Sequence, residues 1–262
     1  MSARLGRITT EKSAGYDLIW SADKPAEALP RLKAALAELR ATQWPVTLAS
    51  QARMLEINLL NRIGDATYYA DDIPGSLAPY READALVDGG IAADGAIPQW
   101  LILKGENAFN ISGSLGDIIG RNADALKVAD EGVAQLKRLL AFGPDAAAEK
   151  KLLVLFGQQA VLLDQMGRTS DALVPSGNSV RLREARLARS PRDAQRMRDF
   201  AIGLVPNAEL LAKAGKPDDA CAVASRAAAA WAHIRALGNL GAMDARKNLP
   251  QSEALQRKFC TA

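Results

Sequence analysis

The stretch GRTSDAL at residues 167–173 decides the fold, because versions of it recur along the chain. A glycine or aspartate opens each version, and a small residue follows five positions later. The other four versions are DKPAEAL at 23–29, DDIPGSL at 71–77, GRNADAL at 120–126 and GKPDDAC at 215–221. Their small residues are 48, 49, 47 and 48 positions apart, which indicates one structural unit repeated five times.

Each version predicts the turn between two helices. Glycine or aspartate ends one helix, and proline, serine, threonine, aspartate or asparagine opens the next. The leucines Leu29, Leu32, Leu36 and Leu39 then recur at the spacing of one helix face. We therefore expect an all-α fold of five antiparallel hairpins with a period of about 48 residues and a short C-terminal capping helix. The expected hairpins are about 1–43, 44–91, 92–142, 143–189 and 190–238, and the cap is 239–262.

Composition agrees with a helical protein. The 262 residues are 48% hydrophobic and 24% charged, which is ordinary for a folded chain, and only 5% are aromatic. Alanine accounts for 50 residues, and alanine is the best helix former and a poor strand former. A fold rich in β-structure is therefore excluded at this stage.

Two further columns of the repeat hold small residues and predict close helix packing. Seven positions after the first column stand Ala35, Ala83, Gly132, Ser179 and Ala227. Twelve positions before it stand Tyr16, Gly64, Gly113, Ala160 and Ala208, so that only the first repeat departs from the pattern. Small side chains let helix backbones approach each other closely, which is needed when hairpins stack.

This pattern resembles the tetratricopeptide repeat, whose hairpins carry small residues on both helices and a glycine near the turn. GRTSDAL preceded by Gln159-Ala160, and GKPDDAC preceded by Asn207-Ala208, are the best matches. The usual unit has about 34 residues, so each hairpin here is about 14 residues longer. Long alanine-rich repeats of this kind also resemble helical regions appended to bacterial serine/threonine kinases and signalling regulators. The resemblance implies a single right-handed α-solenoid that acts as a non-catalytic scaffold in bacterial signalling.

The sequence favours neither an enzyme nor a metal protein. One histidine, His233, and two cysteines, Cys221 and Cys260, are too few for a zinc site or a disulfide framework, and we expect the cysteines to be unpaired. No glycine-rich phosphate loop or kinase signature is present, so no cofactor is expected. The first twenty residues lack the apolar block of a signal peptide, and no apolar run reaches membrane-spanning length. These features predict a cytoplasmic protein.

The resemblance places a partner-binding groove on the first helix of each hairpin. Transferring the family's groove positions gives Asn58, Asn61, Asp65 and Tyr68 in the second repeat, and Asn107, Asn110, Ser114 and Asp117 in the third. The two asparagine pairs recur 49 residues apart, and asparagine can hold the backbone of an extended peptide as both donor and acceptor. The alternative is that these amides bond each other between helices and bind nothing.

Charge suggests two other functions. The stretch Arg181–Arg198 is rich in arginine and could bind phosphate, an acidic partner or nucleic acid. It contains no aromatic residue on which a base could stack. The candidate residues are Arg181, Arg183, Arg186, Arg189, Arg192 and Arg196. Residues 1–145 carry a net charge of −4 and residues 146–262 carry +7, so opposite halves of two copies could form an oligomer. We rank both below the groove, with a protein or peptide as the expected partner.

Overall fold

The expected all-α fold is confirmed. The computed structural model describes residues 1–241 and 244–260, and within them every regular element is helical. The helices are α1 (Ser2–Trp20), α2 (Pro25–Ala41), α3 (Val46–Tyr69), α4 (Ile73–Asp94), α5 (Pro98–Gly116), α6 (Asn122–Leu140), α7 (Ala146–Gln165), α8 (Thr169–Ala188), α9 (Ala194–Lys213), α10 (Pro217–Ala236) and α11 (Leu249–Cys260). A π-helical turn, Asp244–Asn248, precedes α11.

The first residue of each recurring seven-residue stretch lies in the turn between the two helices of a hairpin. The φ angle there is positive at all five sites: Asp23 (55°), Asp71 (65°), Gly120 (80°), Gly167 (75°) and Gly215 (74°). The amide after the turn residue bonds back into the preceding helix in several repeats, as in Arg168 N–H to the Leu163 carbonyl over 2.9 Å. This is the left-handed helix ending that glycine adopts without steric cost, and it explains why the column holds glycine or aspartate.

The first two small columns lie where helices meet. Ala28, Ser76, Ala125, Ala172 and Ala220 are all 0% exposed. The column seven positions later is also buried in every repeat. Small side chains at these points are therefore required by the packing of each second helix.

Packing divides the chain into two compact units, Met1–Lys151 and Leu152–Ala262. In the first unit, α1 to α6 pack in succession, and α1 also contacts α3 while α3 contacts α5. In the second unit, α8 to α11 pack in succession and α11 also contacts α9. The Ser179 hydroxyl of α8 donates to the Leu153 carbonyl of α7 over 2.8 Å, and this bond connects the two helices of the fourth hairpin.

The two cysteines depart from the sequence-based expectation. Cys221 in α10 and Cys260 in α11 form a disulfide, with their Cα atoms 4.9 Å apart. The sequence predicted unpaired cysteines, because two cysteines are too few for a disulfide framework. The packing of α11 along α10 brings them together, and Leu255 of α11 buries its side chain against Ala208 and Ala224.

Among the described residues, no helix has both the length and the apolar character needed to cross a lipid bilayer.

Candidate functional site

Polar residues of the first unit lie together on one side of α1, α3 and α5. We call this surface the α1–α3–α5 face. Lys12, Ser13, Tyr16 and Asp17 of α1 and Asn58 and Arg62 of α3 line a pocket of about 240 Å³. Helical geometry explains the set, because Lys12 and Tyr16, like Asn58 and Arg62, are four residues apart and therefore neighbours on a helix surface.

Arg62 links the three helices of this face. Its Nη1 lies 2.6 Å from Asp65 Oδ2, and its Nη2 lies 3.1 Å from Glu106 Oε1 of α5. Lys151 Nζ is 2.9 Å from Glu106 Oε2, and the Arg62 guanidinium carbon stands 5.7 Å from the ring centre of Tyr16. Two carboxylates therefore hold the guanidinium group of Arg62 in place, and the same group lies near an aromatic ring.

Asp65 supports this arrangement from below the surface. The sequence analysis placed Asp65 in the groove, but the residue is only 6% exposed, and Tyr80 donates its hydroxyl to Asp65 Oδ1 over 2.7 Å. Burial raises the pKa of Asp65, while the charge of Arg62 and the Tyr80 hydrogen bond oppose that rise. The carboxylate therefore positions Arg62 and does not face a ligand.

Three more of the predicted groove residues are buried. Asn61 and Asn107 are 0% exposed, and Asn61 Nδ2 donates to Asn107 Oδ1 over 2.8 Å. Ser114 is 1% exposed and shares a 2.8 Å hydrogen bond with Ser76. Asn61 and Asn107 thus bond each other between α3 and α5, and Ser114 bonds a serine of α4.

The remaining predicted positions lie at the surface. Asn58 lines the pocket and uses its Nδ2 to donate to the Met54 carbonyl over 2.7 Å. Tyr68 donates its hydroxyl to Asp117, which is exposed. Asn110 is partly exposed, and its Nδ2 is a buried atom without a hydrogen-bond partner. Four of the eight positions are thus accessible to a partner.

The buried amide pair predicts a loss of stability without a direct effect on binding. Removing Asn61 by Asn61→Ala leaves Asn107 buried without its donor, so we expect the free energy of unfolding to fall by about 1–3 kcal/mol. The double variant Asn61→Ala/Asn107→Ala should lose less than the sum of the two single losses, because it removes both partners. Urea unfolding followed by circular dichroism measures this coupling, and strictly additive losses would contradict the pairing.

Exposed aromatic residues on the same face were missed by the sequence analysis. Tyr16, Trp20 and Tyr69 are each 47% exposed. The only signal in the sequence was Tyr16, which stands in a column of small residues in the other repeats. Neighbouring aromatic residues on separate helices cannot be recognised until the helices are packed.

The arginine stretch of the second unit does not form one open surface. Arg183 Nη1 donates to the Asp199 carbonyl over 2.7 Å, and burial lowers the pKa of Arg183. Arg196 Nη1 donates to the Arg186 carbonyl over 2.9 Å. A Cβ at Gly203 would lie 2.4 Å from Arg183 Cδ, so the glycine makes room for this inward side chain. The other three predicted arginines are exposed, namely Arg181, Arg189 and Arg192.

Within residues 1–241 and 244–260, no group of three or more histidine, cysteine, aspartate and glutamate side chains is arranged to hold a metal ion.

Comparison with solved structures identifies the fold as a TPR-like helical repeat. A Podosopora anserina protein of the kinesin light chain type, with nearly identical TPR-like repeats, aligns with a TM-score of 0.59 at 13% identity over 88% of this chain and 97% of that chain. The apo form of RapI aligns with a TM-score of 0.54 at 12% identity over 97% of this chain and 73% of that one. No family model matches the sequence. No curated protein matches it either.

Proposed function

We propose that the protein is a non-catalytic scaffold that binds a segment of a partner protein across the α1–α3–α5 face. The observation that carries this proposal is the open polar pocket of about 240 Å³ between α1 and α3, lined by Lys12, Asn58 and Arg62. TPR-like repeats stack hairpins so that the first helices present one continuous surface to a partner. The similar solved structures belong to the same class of fold and make a protein partner the first candidate.

The face has the chemistry of a protein-binding surface. Tyrosine, tryptophan and arginine contribute most of the binding energy in protein interfaces. This face carries one of each close together, namely Tyr16, Trp20 and Arg62. Arg62 is held by Asp65 and Glu106, so a partner meets a side chain that is already ordered. An ordered side chain loses little entropy on binding, which favours affinity.

Nucleic-acid binding by the Arg181–Arg198 stretch receives less support. Arg183 and Arg196 use their guanidinium groups to bind carbonyl oxygens between α8 and α9. Arg198 pairs with Asp244 over 2.7 Å. Phosphate recognition needs cationic groups that are free to reach a nucleic-acid backbone, and these three are engaged within the second unit.

Oligomerisation through opposite charges receives less support for a similar reason. Most acidic side chains between residues 65 and 94 already have partners within the first unit. Lys104 Nζ lies 2.8 Å from Asp84 and 2.7 Å from Asp88, and Arg40 lies 2.5 Å from Glu82. Asp72 accepts the Gly75 amide at the start of α4. These acids are not available as a continuous surface for a second copy.

Quantitative affinity capture tests the scaffold proposal. The purified chain is compared with the variant Lys12→Glu/Asn58→Ala, which changes the charge and removes the amide of the pocket without touching the core. We expect at least one protein to be captured by the wild-type chain and its amount to fall by roughly tenfold with the variant, because reversed charge in an interface costs more than about 1.4 kcal/mol.

The matched control is Lys33→Glu/Gln43→Ala, which makes the same kinds of change at exposed positions outside the face. This control should capture the partner as the wild-type chain does. Equal capture by all three proteins would place the binding surface elsewhere. If no protein is captured above background by the folded wild-type chain, the scaffold proposal is wrong.

A further inference from the structure

Four aromatic side chains, three of them exposed and one partly buried, form a continuous patch at the C-terminal ends of α1 and α3, which we call the aromatic patch. It consists of Tyr16, Trp20, Tyr68 and Tyr69. Ring centres are 6.2 Å apart between Tyr16 and Trp20, 4.7 Å between Trp20 and Tyr69, and 5.0 Å between Tyr68 and Tyr69. The Trp20 and Tyr69 rings meet edge to face at 72°.

The patch is unusual for this chain. Only 5% of the residues are aromatic, and three of the four tyrosines stand together here. Tyr16, Trp20 and Tyr69 each keep 47% of their surface exposed. Neighbouring exposed aromatic rings are costly in water and mark interaction sites on folded proteins. Nearly half of the surface of each of these three residues is therefore open to a partner.

The charges around the patch are mainly negative. Asp17 follows Tyr16 directly, Asp71 lies two residues after Tyr69, and both are exposed. Asp117 of α5 accepts the hydroxyl of Tyr68 and is exposed as well. Burial raises the pKa of Tyr69, and the charges of Asp65 and Asp117 raise it further, as expected beside carboxylates. The patch therefore favours a positively charged ligand.

A guanidinium group already occupies one edge of the patch. The Arg62 guanidinium carbon is 5.7 Å from the ring centre of Tyr16 while its nitrogens bind Asp65 and Glu106. Aromatic rings attract cations at this distance through the electrons of their faces. Arg62 thus combines a contact with an aromatic ring and ion pairs with carboxylates, and a second arginine could use the same two kinds of contact.

We propose that the aromatic patch is a docking surface for a basic, arginine-containing segment of a partner protein. An arginine of the segment stacks on the ring of Trp20 or of Tyr69 and pairs with Asp117 or Asp17. This inference rests on the proposed scaffold function and names the partner's chemistry. Arginine fits better than lysine, because its planar guanidinium both stacks on a ring and binds a carboxylate with two nitrogens.

Fluorescence anisotropy with defined peptides tests the inference. The labelled probes are a short peptide of alternating arginine and glycine, its lysine counterpart and its glutamate counterpart. We expect the arginine peptide to bind more tightly than the lysine peptide and the glutamate peptide not to bind. The variant Trp20→Ala/Tyr69→Ala should weaken arginine-peptide binding by roughly tenfold, and Asp17→Asn/Asp117→Asn should weaken it and reduce its salt dependence.

The matched control is Phe142→Ala, which removes an aromatic side chain that is 83% exposed outside the patch. It should bind the arginine peptide as the wild-type chain does, and circular dichroism checks that every variant is folded. Binding of the glutamate peptide, or arginine-peptide binding that survives both patch variants, would overturn the proposal. So would the absence of any arginine-peptide binding to the wild-type chain.

Light scattering separates a second copy of the chain from a different partner. We expect the wild-type chain to form no dimer through the patch as its concentration rises. A dimer that forms with concentration and that the patch variants abolish would make a second copy the occupant and overturn the proposal. The scaffold function is tested separately with Lys12→Glu/Asn58→Ala, whose residues are not part of the patch. Loss of a captured partner in that experiment, together with no peptide binding here, would remove only the basic-partner inference.

Discussion

Reduction of the Cys221–Cys260 disulfide is expected to lower the free energy of unfolding by about 4 kcal/mol. The bond closes a loop with a sequence separation of 39 residues, and a cross-link of that length restricts the unfolded chain by about this amount. In the folded protein it ties α11 to α10 beside the buried side chains Ala224 and Leu255. Urea unfolding followed by circular dichroism, with and without a phosphine reductant, measures the difference.

The variant Cys221→Ser/Cys260→Ser serves as the control for this experiment. It should unfold at the same urea concentration as the reduced wild-type chain, and the reductant should not change its stability. Thiol titration of the denatured, unreduced protein should find no free thiol. Two reactive thiols per chain in that titration would show that the disulfide does not form.

The disulfide also bears on where the protein folds. Disulfides form and persist in oxidising compartments and are rare in the cytosol, where thiols are kept reduced. The bond between Cys221 and Cys260 therefore makes an oxidising compartment a second expectation beside the cytoplasmic location that the sequence predicts. The same thiol titration, made on protein from its natural source, answers this question directly.

The substitution Gly64→Ala is expected to destabilise the first unit by about 2–4 kcal/mol. A Cβ at position 64 would lie 2.3 Å from the ring of Tyr80, which is only 3% exposed and can move only by disturbing the packing around it. Overfilling a packed core costs about 1–3 kcal/mol. Displacing Tyr80 also breaks its hydrogen bond to Asp65, which adds to the loss. Thermal and urea unfolding measure the effect.

Gly113→Ala is the matched control, because Gly113 holds the same repeat position in α5. A Cβ there meets no atom within 4 Å. Alanine favours a helix over glycine, so this variant should gain about 0.5–1 kcal/mol. Equal destabilisation by both substitutions would contradict the packing described for Gly64.

The candidate site shows where sequence reasoning stops. The groove positions were transferred by repeat spacing, which located α3 and α5 correctly as neighbours but treated Asn58 and Asn61 alike. Asn58 lines the pocket, whereas Asn61 is 0% exposed and bonds Asn107. Three positions along a helix turn a side chain by about 300°, so the neighbours across the interface decide which amide is covered.

The sequence by itself determined the helices, the turns and the repeat. Each of these depends on local physics, namely helical periodicity, the left-handed turn at Gly167 and its equivalents, and small residues such as Ala172 at helix contacts. Only the tertiary structure decided the Cys221–Cys260 pair, the difference between Gly64 and Gly113, and the meeting of Trp20 with Tyr69. These features join residues far apart in the chain, and the helix packing that brings them together is not encoded in any one segment.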